Sequence, residues 1–216
     1  MRPLIHINFA TDEVGRDICL AGLPATVSCD SDWKRVHTLR EKYDAVAVGG
    51  RTWKIDQPRL NVRAERLGRQ PRRQPAKVVF AGRHACVIER AETPVFIVGS
   101  LACGAPGVTS ISSSGYRLTE PLEMLWSLGI RSMLVEGGPT LISSFLAQSL
   151  TDRLTVFVRS KSKRSAALYA RRALPGLPTL AGVERCGEGL ILTFDCRFVT
   201  LSGGEACWAS QSATIA

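Results

Sequence analysis

The stretch LVEGGPTLISSFL, Leu134 to Leu146, joins two kinds of hydrophobic pattern. The apolar run Met133–Val135 suits a buried strand, whereas Leu141, Ile142, Phe145 and Leu146 fall on one face at helical spacing. Between them the chain must turn sharply. Gly137 and Gly138 accept positive φ and let a ligand approach the backbone. Pro139 suits the first helical position, where its missing N–H costs nothing, and Thr140 is placed to satisfy a free N–H nearby. The segment admits two readings. It is a plain strand-to-helix turn, or it is a seat for an anion such as a pyrophosphate at a helix start, with Glu136 delivered beside it.

Working outward, short β-like runs recur at Leu4–Phe9, Ala45–Val48, Lys77–Phe80, Val95–Val98, Leu154–Val158 and Leu190–Phe194. Helical patterns cover about Asp32–Lys42, Pro121–Leu128 and Thr140–Gln148. This alternation predicts a three-layer α/β domain around a mostly parallel central sheet. Residues 190–200 have no helix after them and suit an antiparallel C-terminal edge strand. With 216 residues, 45% of them hydrophobic, the chain can build one substantial core, so residues 1–216 are expected to form a single domain. The Pro-, Arg- and Gln-rich stretch 67–75 reads as a mobile surface loop, and the tail after about residue 202 as frayed.

Composition excludes several classes of function. Seven cysteines are scattered without a C-x-x-C pair, and His6, His37 and His84 lack ligand spacing, so no metal site is expected. No run approaches the roughly 18 apolar residues needed to span a bilayer, and the N-terminus has no cleavage-site pattern, so a cytoplasmic protein without membrane contact is expected. The net charge of +9 gathers at residues 66–75 and 159–172. Neither stretch carries the interleaved aromatics of a nucleic-acid platform, so nucleic acid is not the expected partner. They read as solvated loops, or as a positive field for a phosphorylated small substrate and a phosphorylated cofactor.

In an open α/β sheet, ligands gather beyond the carboxyl ends of the strands. Here several strands end in small residues: Phe9–Ala10, Gly49–Gly50, Gly99–Ser100 and Glu136–Gly138. After the second of these, DAVAVGGRTWKIDQPRLNVR (Asp44 to Arg63) supplies Thr52, Asp56, Leu60 and Arg63, with Pro58 turning the chain out of helix. Asp56 and Arg63 read either as an exposed ion pair or as a site. Upstream, a helix that Asp30 or Ser31 could cap turns Trp33, Val36 and Leu39 inward and carries Arg40 near its end. Arg40 either complements the helix dipole or grips an anion.

Together, RPLIHINFA, VHTLREKYDAVAVGGRTWKIDQPRLNVR (Val36 to Arg63) and LVEGGPTLISSFLAQSLTDRLTVFV (Leu134 to Val158) resemble the reductase domain of the bifunctional riboflavin-biosynthesis deaminase/reductase and its stand-alone counterparts. The H-x-L-R, V-G-x-x-T-x-x-x-D-x-P-x-L-x-x-R and E-G-G-P-T-L elements occur in order. The resemblance implies a dihydrofolate-reductase-like fold and an NADPH-dependent oxidoreductase that reduces a ribosylaminopyrimidine 5′-phosphate to its ribitylamino form. It implies substrate contacts at Arg16, Ser28, Arg40, Asp56, Leu60, Arg63 and Glu136, with Asp56 and Glu136 as the catalytic carboxylates. Cofactor contacts fall on Ala10, Gly49, Gly50, Thr52, Gly99, Gly137, Gly138 and Thr140. Guanidinium forks at Arg40 and Arg63 suit a substrate phosphate, and nearby arginines are expected to depress the two carboxylate pKa values. A homodimer is also implied, with residues 190–200 as its expected seam.

The resemblance is weakest on the substrate side. Where the family follows its first strand with S-x-D-G-K, this chain reads TDEVGRD, with Arg16 at the lysine position. An arginine keeps the charge but does not donate a proton. The family's proline-glycine loop is replaced by the basic stretch after Val158, and no deaminase-type H-x-E and P-C-x-x-C pattern is present. Two alternatives therefore stand beside the main expectation: a sister NADPH reductase for a modified pyrimidine or pteridine-like metabolite, and a non-enzymatic nucleotide-binding relative.

Overall fold

The computed structural model describes residues 1–12, 27–82, 88, 91–99, 106–113, 117–173 and 177–196. Along the chain lie β1 (Leu4–Thr11), α1 (Asp30–Lys42), β2 (Ala45–Gly49), α2 (Gly50–Asp56), α3 (Ala64–Leu67), β3 (Ala76–Gly82), β4 (Val95–Gly99) and β5 (Val108–Ser112). They are followed by α4 (Thr119–Ser127), β6 (Ser132–Gly137), α5 (Pro139–Ala147), β7 (Arg153–Val158), α6 (Lys163–Ala173), β8 (Thr179–Cys186) and β9 (Gly189–Asp195). The described strands form one sheet in the order β5-β4-β3-β2-β6-β1-β7-β9-β8. Every pairing from β5 to β7 is parallel, and β9 runs antiparallel to both β7 and β8.

Strand alternation separates two apolar faces. Ile5, Ile7, Ala47, Val78, Val98, Met133, Val135 and Val156 meet Leu122 and Leu125 of α4, Ile142 and Phe145 of α5, and Ala166 and Ala170 of α6 in the larger core. On the opposite face, Val46, Val48 and Leu134 pack with Tyr43, Leu60 and Leu39, while Val79, Ala81 and Ile97 pack with Trp53. Helices on both faces of a mostly parallel sheet make the three layers that the alternation predicted.

Four expectations change in detail. The antiparallel strand at 189–195 is present, but β8 lies outside it, so both edges of β9 are occupied and it is not available as a dimer seam. Most of the basic stretch 159–172 is not loop but helix α6, whose buried side consists of alanines, too weak an apolar signal to stand out among lysines and arginines. Residues 67–75 are tied down rather than free. Arg69 and the Arg72 N–H bind the Glu41 carboxylate, Arg73 donates to the Tyr43 carbonyl and to Asp44, and the Gln74 amide pairs with the Val62 backbone. Neither Asp30 nor Ser31 caps α1. Cys29 holds the N-cap position without a side-chain capping bond, its thiol turned to the Cys186 carbonyl instead, and Asp30 and Asp32 sit in the first turn, where they complement the dipole. Residues beyond 196, and with them the expected frayed tail, lie outside the described residues.

Candidate active site

Strands β4, β3, β2 and β6 stand side by side, and each terminates in glycine: Gly99, Gly82, Gly49 and Gly137. Among the described residues, their carboxyl ends form a ledge with few side chains. At Gly50 a Cβ would lie 2.7 Å from the Ala81 carbonyl oxygen and 2.8 Å from its Cα, so the β2–α2 turn presses directly on the end of β3. Gly99 meets the Gly82 carbonyl in the same way. Gly138, at φ +87°, needs the left-handed freedom of glycine to swing the chain from β6 into α5. A Cβ there would stand 3.2 Å from Thr52 Oγ1, so Gly49, Thr52, Gly137 and Gly138 converge on one point. Gly138, the N-cap of α5, has no side chain to cap it. Among the described residues the helix's first-turn backbone donors have no side-chain partner, and Thr140 is exposed rather than folded back onto them.

Glu136 sits where this ledge ends. The β2–β6 register passes from Ala47↔Val135 to Val48↔Gly137, so Glu136 is the extra residue of a bulge, a device that re-aims a side chain. It is aimed at α1. Arg40 Nε donates to Oε1 at 2.7 Å and Nη2 to Oε2 at 2.6 Å, a bidentate pair only about one-tenth exposed on each side. Nη1 donates to the Asn61 carbonyl at 2.9 Å. Burial works against the Arg40 charge, but Glu136 more than offsets it and holds the guanidinium pKa above its ordinary value. Both donor-bearing edges of Arg40 are thus engaged within the protein.

Of the other expected substrate residues, Leu60 and Arg63 lie on either side of Asn61, whose carbonyl Arg40 holds. Asp56 ends α2 and is exposed. Partial burial raises its pKa, the opposite of the expected depression: the arginines expected to stabilise its charge do not offset the desolvation. Leu60, 2% exposed and at φ +52°, packs beneath the site against Tyr43, Val46, Val48 and Leu134. Arg63 projects its guanidinium, one-third exposed, with Glu65 3.9 Å away. Ser28 precedes α1, next to Val27, which packs on Phe157 and Ile191 with half-buried Ala10 at the β1 end. Strand order therefore puts Ala10 and Ser28 on the β1–β7 side of Glu136 and the glycine ledge on its β2–β4 side. Arg16 lies outside the described residues.

Sequence reasoning missed the groups that hold this arrangement. His37 Nδ1 accepts the Arg63 N–H at 3.1 Å, and Gln74 pairs with the Val62 N–H and carbonyl at 2.7 and 2.8 Å. Beneath α1 a polar chain crosses the sheet face. The Tyr43 hydroxyl donates to His6 Nδ1 at 2.7 Å, His6 Nε2–H to Thr155 at 2.9 Å, and Thr155 to Asn8 Oδ1 at 2.8 Å. That tautomer follows from Thr155 being the donor to Asn8. Asn8 Oδ1 also accepts Arg35 Nη2 at 2.8 Å, and Arg35 Nε reaches buried Asp32 at 2.9 Å. The one available signal was polar residues alternating with apolar ones in a strand expected to be buried.

The family model of the RibD C-terminal domain matches residues 21–162. The chain belongs to the RibD C-terminal domain family. Among curated proteins it is 32% identical to the 2,5-diamino-6-ribosylamino-4(3H)-pyrimidinone 5′-phosphate reductase of Methanothermobacter thermautotrophicus, over 73% of this chain and 78% of the relative. It is 27% identical to the protein of the same name in Archaeoglobus fulgidus, over 89% of this chain and 98% of the relative. A solved RibD-type deaminase/reductase from Thermotoga maritima superposes with a TM-score of 0.70 at 22% identity, covering 89% of this chain and 56% of that polypeptide. At that identity the superposition speaks for the fold alone.

Proposed function

We propose that the chain is an oxidoreductase that uses a nicotinamide cofactor, NADPH, to reduce 2,5-diamino-6-ribosylamino-4(3H)-pyrimidinone 5′-phosphate to its ribitylamino form. The observation that carries this reading is the glycine ledge ending at Glu136. Four adjacent strands ending in glycine, beside the uncapped start of α5, fit an extended dinucleotide whose phosphates approach backbone N–H groups. Gly49, Thr52, Gly137 and Gly138 would hold it. The two archaeal relatives, both matched over more than three quarters of their lengths and both named as reductases of this compound, supply the substrate.

The cofactor supplies a hydride, and the residues around Glu136 prepare its acceptor. The substrate's cyclic ribosylamine must open to an imine, and protonation of that imine makes its anomeric carbon electrophilic. Glu136, locked to Arg40, is an oriented negative charge at the boundary between cofactor and substrate sides, suited to stabilise the cation electrostatically. Asp56, its pKa raised, is the better carboxyl to carry a proton. Since Arg40 is engaged by Glu136 and Asn61, Arg63 is the guanidinium left to take the phosphate.

Oxidation of NADPH, followed with the diaminopyrimidinone and with its aminouracil counterpart side by side, tests the reading. Turnover of the first is expected. NADPH binding without turnover of either would reject the substrate, and absence of NADPH binding would reject the reductase. We also expect a homodimer, as the family resemblance implies; among the described residues β5 and β8 are the two outer strands of the sheet, and light scattering measures the mass.

A further inference from the structure

His37 is fully buried, at 0% exposure, yet makes one hydrogen bond: its Nδ1 accepts the Arg63 N–H at 3.1 Å. Nδ1 is therefore the unprotonated nitrogen, and the proton sits on Nε2, which has no hydrogen-bond partner among the described residues. A buried donor without a partner is unfavourable, and a phenylalanine or leucine in the same space would avoid that cost. The ring packs at 6.2 Å from Trp33, which in turn lies under the Arg66 guanidinium. Shape alone thus does not account for an imidazole. Its distinguishing contribution is the Nδ1 acceptor.

That acceptor acts on a particular stretch of chain. One helical turn further along the same face of α1, Arg40 Nη1 holds the Asn61 carbonyl, and between the two Gln74 holds Val62 through both backbone groups. Three consecutive residues, 61, 62 and 63, are gripped by their backbones. The Arg63 guanidinium is left one-third exposed, with Glu65 no nearer than 3.9 Å. A fixed backbone under a partly exposed guanidinium with one distant carboxylate partner pre-organises an anion contact.

We propose that His37 is a positioning residue that, through the Arg63 backbone, sets the Arg63 guanidinium for the substrate's 5′-phosphate. The proposal rests on the reductase reading above and assigns one determinant of its phosphate recognition. Arg63 touches the phosphate; His37 acts on it only through Arg63.

The test compares His37→Phe, which keeps the volume and removes the acceptor, with His37→Asn, whose side-chain oxygen replaces Nδ1. Both are assayed with the diaminopyrimidinone ribosylamine 5′-phosphate and with the same compound lacking its phosphate. For His37→Phe, KM for the phosphorylated compound should rise about tenfold while kcat/KM for the dephosphorylated one stays within about twofold. His37→Asn should restore most of the difference, and in an Arg63→Ala background His37→Phe should have no further effect. Equal losses on both compounds, or an asparagine variant as impaired as phenylalanine, would overturn the assignment. Should the wild-type protein reduce neither compound, the reductase reading itself fails. Hydrogen exchange of the Arg63 amide in the ligand-free protein then still reads the contact: faster exchange in His37→Phe but not in His37→Asn is expected, and unchanged exchange in both overturns it. If the phenylalanine variant does not fold, His37→Leu takes its place in every comparison.

Discussion

A bulge at one residue, Glu136, converts an ordinary strand end into a charged pivot. Its carboxylate takes two hydrogen bonds from Arg40, a residue 96 positions earlier, at a site where neither partner is more than about one-tenth exposed. Breaking such a pair from one side leaves a charge buried without compensation. Glu136→Gln should therefore destabilise the fold by about 2–4 kcal/mol as well as abolish efficient turnover, whereas Arg40→Met combined with Glu136→Leu should recover most of the stability and none of the activity. Urea denaturation of the two variants, set beside their rates, checks this, and a double variant no more stable than the single would contradict it. Gly50 makes a second residue-scale case. Any Cβ there meets the Ala81 backbone, which has no flexible end to yield, so Gly50→Ala should cost about 1–3 kcal/mol and weaken NADPH binding through the displaced turn. An alanine variant with unchanged thermal stability would show that the β2–α2 turn relaxes freely.

At the scale of elements, legibility followed the strength of the apolar pattern. Strands β2 and β6 and helix α1 were readable because Val46, Val48, Leu134 and Val36 recur at the spacing each structure requires. Helix α6 was not, since among its described side chains the fully buried ones are only Ala166 and Ala170, and both its ends are basic. Helix α2 opens on glycine, a poor helix former whose presence here is explained only by the approach of β3. Strand β8 buries neither face fully, so its alternation is faint. The residue types of the site were legible from their motifs, but the Arg40–Glu136 contact needed the strand order, which periodicity does not encode. The loop after α2 also carries backbone cost: Gln57, its C-cap, adopts φ +40° and is exposed. Gln57→Gly should stabilise the protein by about 0.5–1 kcal/mol by relieving a left-handed side-chain residue. Equilibrium unfolding measures it, and a loss of stability would mean that the Gln57 side chain makes a contribution larger than the strain.

The whole molecule divides its chemistry between the two ends of the sheet. At the amino ends, carboxylates lock strands together: Asp44 Oδ2 accepts the Arg131 and Ser132 N–H groups, and Asp152 accepts the Ile5 N–H at 2.7 Å. At the carboxyl ends, β4, β3, β2 and β6 terminate in glycine, on the side proposed for the cofactor. Between them, two buried histidines make the fold sensitive to acid. His6 and His37 both have pKa values lowered to about 4, by burial first and then by neighbouring arginines: Arg35 and Arg153 for His6, and Arg40, Arg63 and Arg66 for His37. Each ring is neutral in the folded state and accepts a hydrogen bond through Nδ1. In the unfolded chain both titrate near 6.5, so between pH 6.5 and 4 the unfolded state binds up to two more protons than the folded one. Their stabilising contribution is therefore full above about pH 6.5 and is lost as the pH falls toward 4. From pH 7 to pH 5 the two together should remove about 3–4 kcal/mol from the unfolding free energy, with a limiting slope of about 2.7 kcal/mol per pH unit. Replacing His6 by Gln should reduce the pH-dependent part by about half, because His37 continues to titrate. Urea unfolding at pH 7, 6 and 5, for the natural chain and this variant, measures both quantities. A stability independent of pH over that range would require both imidazoles to accept a proton inside the folded protein, against the arginines that surround them.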